Sequence, residues 1–484
     1  MNRLKNYING RRVGILGLGV SNLPLAEKLI DMGVPLTVRD KKTPEELGEG
    51  ALALKARGVR FVSGGNCFDD IEEDLIFRSP GLRPDLPSIN AVQSRGGELT
   101  SEIELLLEFC PCDTFAITGS DGKTTSTTLT GKFLDLEGQT RNRTTYVGGN
   151  IGTPLLTRCE EMTSSDNVVL ELSSFQLMTV KKSPMYVAIT NVTPNHLDWH
   201  GEMGEYIAAK KNIIGSNTRR VVVNANNEVT REIGVEALAD GKEVIFFSST
   251  AKSFEEAVPR QCKGAFAVIL RDGAITITDG ERAEKLLDIK DIKVPGMHNV
   301  ENFMTAIALT YGKVATEVYR AVAESFFGVE HRLEFVRRLD GVDYYNSSID
   351  SSPTRTAAAL SALGERDIII ICGGYDKKIP YAPLAEHLFA RAKAVVRTGA
   401  TAPKIDLAMT EYAEAHKGMS APRRELAEDF NTAVNKARRL ARELGKNNPC
   451  VLLSPASASF DCFKNFAERG NCFKDIVNRL TEEN

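Results

Sequence analysis

One short pattern recurs along the chain and limits its possible folds: an apolar run that stops abruptly at Gly, Ser or Pro. "RVGILGLG", "LTVRD", "VRFVSGG" and "DLIFRSPG" fall in the first hundred residues. "TFAITGS", "NVVLELSS" and "MYVAITNVTP" repeat it in the middle, and "DIIIICGG", "AVVRTGA" and "PCVLLSPASA" near the end. Continuous Val/Ile/Leu runs of this kind are what strands buried on both faces require. Helical stretches between them imply right-handed crossovers and doubly wound, mostly parallel sheets. The fold class is therefore α/β. The pattern restarts before the helical "EIELLLEF" near Ser101 and after "VYRAVAESFF" near Val329. This predicts three domains, over residues 1–101, 102–328 and 329–484. In such sheets ligands bind beyond the carboxyl ends of the strands.

Charge and cysteine usage narrow the function. Lys and Arg total 60 against 64 Asp and Glu, a net charge of −4, without the basic concentration that nucleic-acid binding needs. No apolar run approaches the roughly 20 residues of a membrane span. The start, Met-Asn-Arg-Leu-Lys, leads into a strand pattern with no signal-peptide core. Nine scattered cysteines, none in C-x-x-C spacing, argue against a zinc site or a disulfide framework and for reduced thiols in a cytoplasmic enzyme.

Two glycine-rich turns compete for a nucleotide. Gly119-Ser120-Asp121-Gly122-Lys123-Thr124-Thr125 follows a strand run and opens a helix. Glycines let backbone N–H groups approach phosphate oxygens, the helix start adds its dipole, Lys123 a charge and Thr124 or Thr125 a hydroxyl for Mg²⁺. Ile117 stands where the common phosphate-loop pattern has glycine. Gly17-Leu18-Gly19-Val20-Ser21-Asn22 looks like a dinucleotide turn, with Asp40 ending the second strand, but Asn22 replaces the third glycine. A plain turn without a ligand and a dehydrogenase site both remain open for it.

Glu171 ends a buried strand, where a carboxylate needs a partner or a cation. "TNVTPNHLDWHGEMGEYIAAKKNI" carries His196, Asp198, Trp199, His200, Lys210 and Lys211. "VPGMHNVENF" supplies His298, Asn299 and Asn302, and "GVEHRLEF" supplies His331 and Arg332. A helix lysine by itself is usually a solvated one, and any single histidine can be structural.

Taken together, T-G-S-D-G-K-T-T, E-L-S-S-F-Q-L, N-V-T-P-N-H-L-D-W-H with Y-x-x-A-K, H-N-x-x-N, E-H-R-L-E and S-P-A-S-A-S-F-D-x-F resemble the Mur ligases, in order over nearly the whole chain. In that family the phosphate loop lacks its first glycine. E-L-S-S-F-Q-L and the C-terminal S-P-A-S-A-S-F-D-C-F-K-N-F-A-E-R-G resemble the D-glutamate-adding branch. The resemblance implies an ATP-dependent ligase of cell-wall precursor synthesis. ATP phosphorylates the carboxylate of UDP-N-acetylmuramoyl-L-alanine, and the amine of D-glutamate attacks the acyl phosphate.

It also implies residue roles. Gly119, Ser120, Asp121, Gly122, Lys123, Thr124 and Thr125 would hold ATP phosphates, with Asn299, Asn302 and Arg332 on adenine and phosphates. Thr124, Glu171, His196 and a carbamylated Lys210 would hold two Mg²⁺ ions. Lys123, His196, Lys210 and Arg332 form the catalytic group. Gly19, Val20, Ser21, Asp40, Ser79, Gly81, Asn150 and Ser173 would bind the UDP substrate. Ser351, Lys377, Ser459 and Phe466 would bind D-glutamate. A monomer is expected. One departure stands out: the family segment reads N-D-S-K-A-T or N-D-S-I-A-S, whereas here it is Asn346-Ser347-Ser348-Ile349-Asp350-Ser351. A serine at 347 predicts weaker ATP binding, and Asp350 adds negative charge near the D-glutamate site. The rival functions are an NAD-dependent dehydrogenase built on Gly17, Gly19 and Asp40, and a nucleotide-gated binding module without catalysis.

Overall fold

The computed structural model describes residues 3–482 apart from 20, 295 and 378. The chain divides into two compact units, one ending at Phe326 and the other starting at Phe327. Among the described residues three sheets are present, two in the first unit and one in the second.

The first sheet holds β1 (Val13–Leu16), β2 (Leu36–Asp40), β3 (Arg60–Ser63), β4 (Leu75–Arg78) and β5 (Glu98–Thr100). They are parallel, in the order β3-β2-β1-β4-β5. The order reverses between β1 and β4, so the turns after those two strands face one crevice. Gly17 and Ser79 stand at those two ends.

The second sheet holds β6 (Asp113–Thr118), β7 (Thr145–Gly149), β8 (Asn167–Glu171), β9 (Tyr186–Ile189), β10 (Arg220–Asn224), β11 (Glu243–Ser248), β12 (Phe266–Arg271), β13 (Ala274–Thr278) and β14 (Ala283–Asp288). Its order is β14-β13-β12-β11-β10-β9-β6-β8-β7. From β7 to β12 the pairing is parallel; β13 and β14 join antiparallel. β6 sits between β8 and β9, which puts the ends of these three strands side by side. The helix Lys123–Gln139 crosses from β6 to β7 and buries Leu129, Phe133 and Leu134 on one face. Its many threonines are tolerated because Thr128 and Thr130 return their hydroxyls to the carbonyls of Thr124 and Ser126, both at 2.8 Å.

One apolar core runs through both sheets of this unit, from Ile15 and Phe77 to Ala116 and Val187. Two polar ties reinforce it. Arg78, 1% exposed, donates to the Phe175 carbonyl at 2.8 Å and to the turn carbonyls of Pro80 and Leu82. Glu102 accepts the N–H groups of Leu155 and Leu156 at 2.9 and 2.8 Å.

The second unit holds β15 (Glu334–Leu339), β16 (Val342–Asn346), β17 (Ile368–Cys372), β18 (Ala392–Arg397), β19 (Arg423–Leu426) and β20 (Cys450–Leu453), in the order β15-β16-β20-β17-β18-β19. Only β15 is antiparallel. Apolar layers cover both faces of the sheet, one led by Leu360, Leu388 and Met409, the other by Val434, Leu440 and Phe473. The antiparallel strands β13, β14 and β15 were not foreseen. Their sequences, such as "AITIT" and "EFVRRL", are short and partly polar and carry no apolar run. No helix among the described residues is long and apolar enough to cross a membrane.

Candidate active site

The turn after β6 is built for close approach of another group. Gly119 has φ +148°, and a Cβ at that position would collide with the Thr190 hydroxyl at the end of β9. Only glycine fits a backbone so conformed and so crowded. The Ser120 N–H donates to the Asn191 carbonyl at 2.9 Å, and the Asp121 N–H to Asn191 Oδ1 at 2.9 Å. Ser120 Oγ faces inward, 3.0 Å from both the Thr193 carbonyl and Tyr206 Oη. Ser120 and Asp121 thus brace the loop through Asn191. The first-turn N–H groups of the helix, from Lys123 onward, have no intrahelical acceptor and point toward the crevice that an anion would enter. Asn191 and Tyr206 were not singled out from the sequence as loop supports. Their signal is their place in "TNVTP" and "GEYIAAK", but which side chain turns back to the loop is decided by β9 lying beside β6.

Behind the loop two ammonium groups converge. Lys123 Nζ donates to the carbonyls of Gly119 and Ser120 at 3.0 and 2.9 Å. Lys210 Nζ donates to the same Gly119 carbonyl at 2.7 Å and lies 4.5 Å from the Tyr206 ring centroid. Lys210 is 1% exposed. Burial pushes its pKa down to about 7, with the charge of Lys123 adding to the shift and Asp121 and Glu171 opposing it. The sequence alone suggests a solvated face for a helix lysine; here the helix Met203–Lys211 turns this one inward.

Glu171, at the end of β8, is 2% exposed. Its Oε1 accepts from Asn150 Nδ2 at 2.7 Å, while its buried Oε2 has no hydrogen-bond partner among the described residues. An ionised oxygen in that position is stable only beside a cation. Asn150 is anchored by its own N–H to the Glu171 carbonyl at 2.8 Å. His196 has left-handed backbone (φ +54°), and its ring meets Phe175 edge-on at 4.9 Å. His200 is buried and bonded through Nε2 to Ser174 Oγ at 2.9 Å, and burial lowers its pKa while the Glu205 carboxylate, 3.5 Å from Nδ1, opposes the shift. Ser173 Oγ bonds with Gln176, whose Oε1 lies at 2.9 Å, in a capping box for the short helix Ser174–Leu177. Asn302 Nδ2 donates to Asn299 Oδ1 at 3.3 Å, and Asn302 Oδ1 accepts from Ser126 Oγ at 3.3 Å, which brings both asparagines to the helix that carries the loop. Thr124 and Thr125 are half-buried on its first turn. Among the described residues no three His, Cys, Asp or Glu side chains form a metal cage.

The crevice of the first sheet has a different character. Gly17 (φ +83°) lies so close to Ser79 that an added Cβ would sit 2.8 Å from Ser79 Cβ. Asp40 accepts the Leu18 N–H at 2.8 Å and the Lys42 N–H at 3.0 Å. Asn22 Nδ2 donates to the Gly17 carbonyl at 2.9 Å and takes over the bracing that a third glycine would otherwise leave to helix packing. Gly19, Ser21, Asp40, Ser79 and Gly81 all gather here, and Trp199 Nε1 donates to the Gly81 carbonyl at 3.2 Å. Val20 lies outside the described residues.

In the second unit the residues assigned to D-glutamate follow β16, β17 and β20, three neighbouring strands. Lys377 Nζ donates to Ser351 Oγ at 3.1 Å. Ser459 is buried, and Phe466 is 40% exposed with its ring 5.9 Å from that of His331. Arg332 is exposed. Arg469, 2% exposed, ties these loops together through the carbonyls of Ser348, Ser457 and Ala458 at 2.9–3.1 Å. No local sequence signal marks it as a brace. Asp350 is buried rather than projecting. It accepts from Ser454 Oγ at 2.9 Å and bonds Ser347, and burial raises its pKa above the usual carboxylate value. The charge expected near D-glutamate is therefore partly withdrawn into the protein.

Known proteins resemble this chain over nearly its whole length. The Mur ligase middle domain matches residues 117–310, and the Mur ligase glutamate ligase domain matches residues 331–457. The chain is 43% identical over 484 residues, 99% of each protein, to the UDP-N-acetylmuramoylalanine–D-glutamate ligase of Acetivibrio thermocellus. It is 44% identical to that of Clostridium kluyveri over 98% of each. The fold is similar to the UDP-N-acetylmuramate-alanine ligase MurC of Thermotoga maritima, with TM-score 0.54 and 18% identity, covering 97% of this chain and 99% of that one.

Proposed function

This chain belongs to the Mur ligase family, and we infer from that premise that it is the ATP-dependent ligase that adds D-glutamate to UDP-N-acetylmuramoyl-L-alanine in peptidoglycan precursor synthesis. The reaction carries the γ-phosphoryl group of ATP to the alanine carboxylate. The D-glutamate amine then attacks the acyl carbon, and the tetrahedral adduct expels phosphate to leave an amide. Two anions must meet in the first step, so the site has to screen charge and fix an in-line approach.

The observation that carries the reading is the group behind the loop: Lys123 and Lys210 on one carbonyl, with Glu171 holding a buried, unpartnered oxygen. We assign Gly119–Thr125, Asn299, Asn302 and Arg332 to ATP, with Lys123 on the phosphates. The lone oxygen of Glu171 suits a hard cation such as magnesium, which keeps water and phosphate oxygens in its shell. Thr124, Glu171, His196 and Lys210 are the residues that would hold two such ions. Magnesium, when bound, neutralises phosphate charge. A lysine amine must be uncharged to react with CO₂, and the depressed pKa of Lys210 supports its carbamylation.

Gly19, Val20, Ser21, Asp40, Ser79, Gly81, Asn150 and Ser173 are assigned to the UDP substrate. The committed hydroxyl of Ser173 favours a supporting part for it. Ser351, Lys377, Ser459 and Phe466 are assigned to D-glutamate. The three functional regions are taken as 1–101, 102–328 and 329–484, in a monomeric cytoplasmic enzyme. The test is phosphate release with D-glutamate, L-glutamate, L-lysine and diaminopimelate in turn. Release that requires both D-glutamate and UDP-N-acetylmuramoyl-L-alanine is expected. Turnover with diaminopimelate in place of D-glutamate overturns the substrate assignment.

A further inference from the structure

The nine cysteines look scattered in sequence, but two of them meet. Cys110 and Cys112 flank Pro111 in the link between the helix Glu102–Phe109 and β6, and their Sγ atoms lie 3.2 Å apart. That is closer than two unbonded sulfurs normally sit, and only about 1.2 Å beyond the ~2.05 Å of a disulfide. Cys112 is buried, whereas Cys110 is half-exposed. A cavity of about 540 Å³ opens beside the link, lined by Arg3, Lys28, Phe109, Pro111, Cys159 and Glu160. Arg3 is held over this link by a 2.7 Å hydrogen bond to the Phe109 carbonyl. Neither sulfur lines that cavity, but Cys110 is half-exposed, and the charge of Arg3 favours its thiolate while Asp113 opposes it.

We propose that Cys110 and Cys112 are a peroxide-reactive dithiol, with Cys110 the attacking thiolate and Cys112 the thiol that resolves it. Cys110 is the more exposed sulfur and so the one a peroxide meets first; the contact from Cys112 lowers its pKa against burial, while the same contact and burial raise that of Cys112. This is the order a two-step reaction needs. Cys110 Sγ attacks one oxygen of a hydroperoxide: the S–O bond forms, the O–O bond breaks, and the leaving oxygen takes a proton and departs as an alcohol or water. Cys112 Sγ then attacks Cys110 Sγ. The S–S bond forms, the S–O bond breaks and water leaves. Two thiols are oxidised by two electrons while one peroxide is reduced. Cys159 lines the cavity, but burial raises its pKa to about 12, so it is the poorer nucleophile.

The experiment exposes the full-length chain to stoichiometric hydrogen peroxide and reads the peptide containing both residues by non-reducing mass spectrometry. Loss of two hydrogens, reversed by dithiothreitol, and a fall of two in titratable thiols are expected. Cys112→Ser should convert that product to a dimedone-trappable sulfenic acid on Cys110, and Cys110→Ser should leave Cys112 reduced. The wild-type measurement stands alone if a variant folds poorly. A Cys110–Cys159 bridge overturns the proposal, and so does oxidation of exposed Cys462 while the 110–112 peptide stays reduced.

Discussion

The two glycine turns of the first unit share a backbone solution and differ in what surrounds it. After β1, Gly17 is crowded by Ser79, and the nearby carboxylate of Asp40 is satisfied by two backbone N–H groups. After β6, Gly119 is crowded by Thr190, and the amine-bearing side chains of Lys123 and Lys210 meet on its carbonyl, while one buried oxygen of Glu171 has no hydrogen-bond partner among the described residues. The first turn is a finished surface that can be read by a ligand. The second gathers ionisable side chains in a low-dielectric setting, where electrostatic effects on a reacting phosphate are strong. A glycine turn therefore indicates close backbone approach, and the neighbouring strand ends decide whether chemistry follows.

The sharpest way to break this contrast is Lys123→Ala. Removing one preorganised charge from a phosphoryl-transfer site should lower kcat by roughly 10³-fold. Activity within tenfold of wild type would mean the second turn is no more catalytic than the first.

Lys210 gives the next largest effect, read as stability against pH. The folded chain holds it neutral above about pH 7, whereas the unfolded chain keeps it charged up to about pH 10.4. Unfolding therefore takes up a proton in that window, and stability rises with pH across it. In carbonate-free buffer the urea midpoint of the wild type should climb relative to Lys210→Met between pH 7 and 10, and the difference should level off below pH 7. Parallel curves would place Lys210 in water.

For the first turn, Gly17→Ala forces a side chain into positive φ against Ser79 and should cost about 1–3 kcal/mol. KM for the UDP substrate should rise about tenfold by the same displacement, while KM for ATP changes less than twofold. A larger effect on ATP would reverse the assignment of the two turns.

The smallest effect concerns residues 346–351. Ser347→Asp alone places a second carboxylate beside buried Asp350, so the informative variant pairs it with Asp350→Ala. The double variant should lower KM for ATP by about threefold, since a charged acceptor bonds more strongly than a hydroxyl. An unchanged KM removes any weakness from Ser347.

Most of the architecture was readable because buried parallel strands must be apolar on both faces, and their ends announce the turns that carry function. Gly119, Lys123 and Glu171 could be placed in this way, whereas Asn150 entered only through the family resemblance. Trp199 could not be linked to the Gly81 turn, nor Arg78 to Phe175, because those contacts span 118 and 97 residues and leave no local period. The short antiparallel strands escaped for a different reason: they lack the continuous apolar run that marks the others.

The sequence by itself determined the strand grammar, the two glycine turns and the family signature, since each depends on residue types at short spacing. Tertiary structure alone decided that Lys210 turns inward onto the Gly119 carbonyl, that Glu171 keeps an unmatched oxygen, that Asp350 is buried, and that two of nine cysteines touch. Ionisation and reactivity follow from burial and from neighbours supplied by distant strands, and those are set only when the sheets pack.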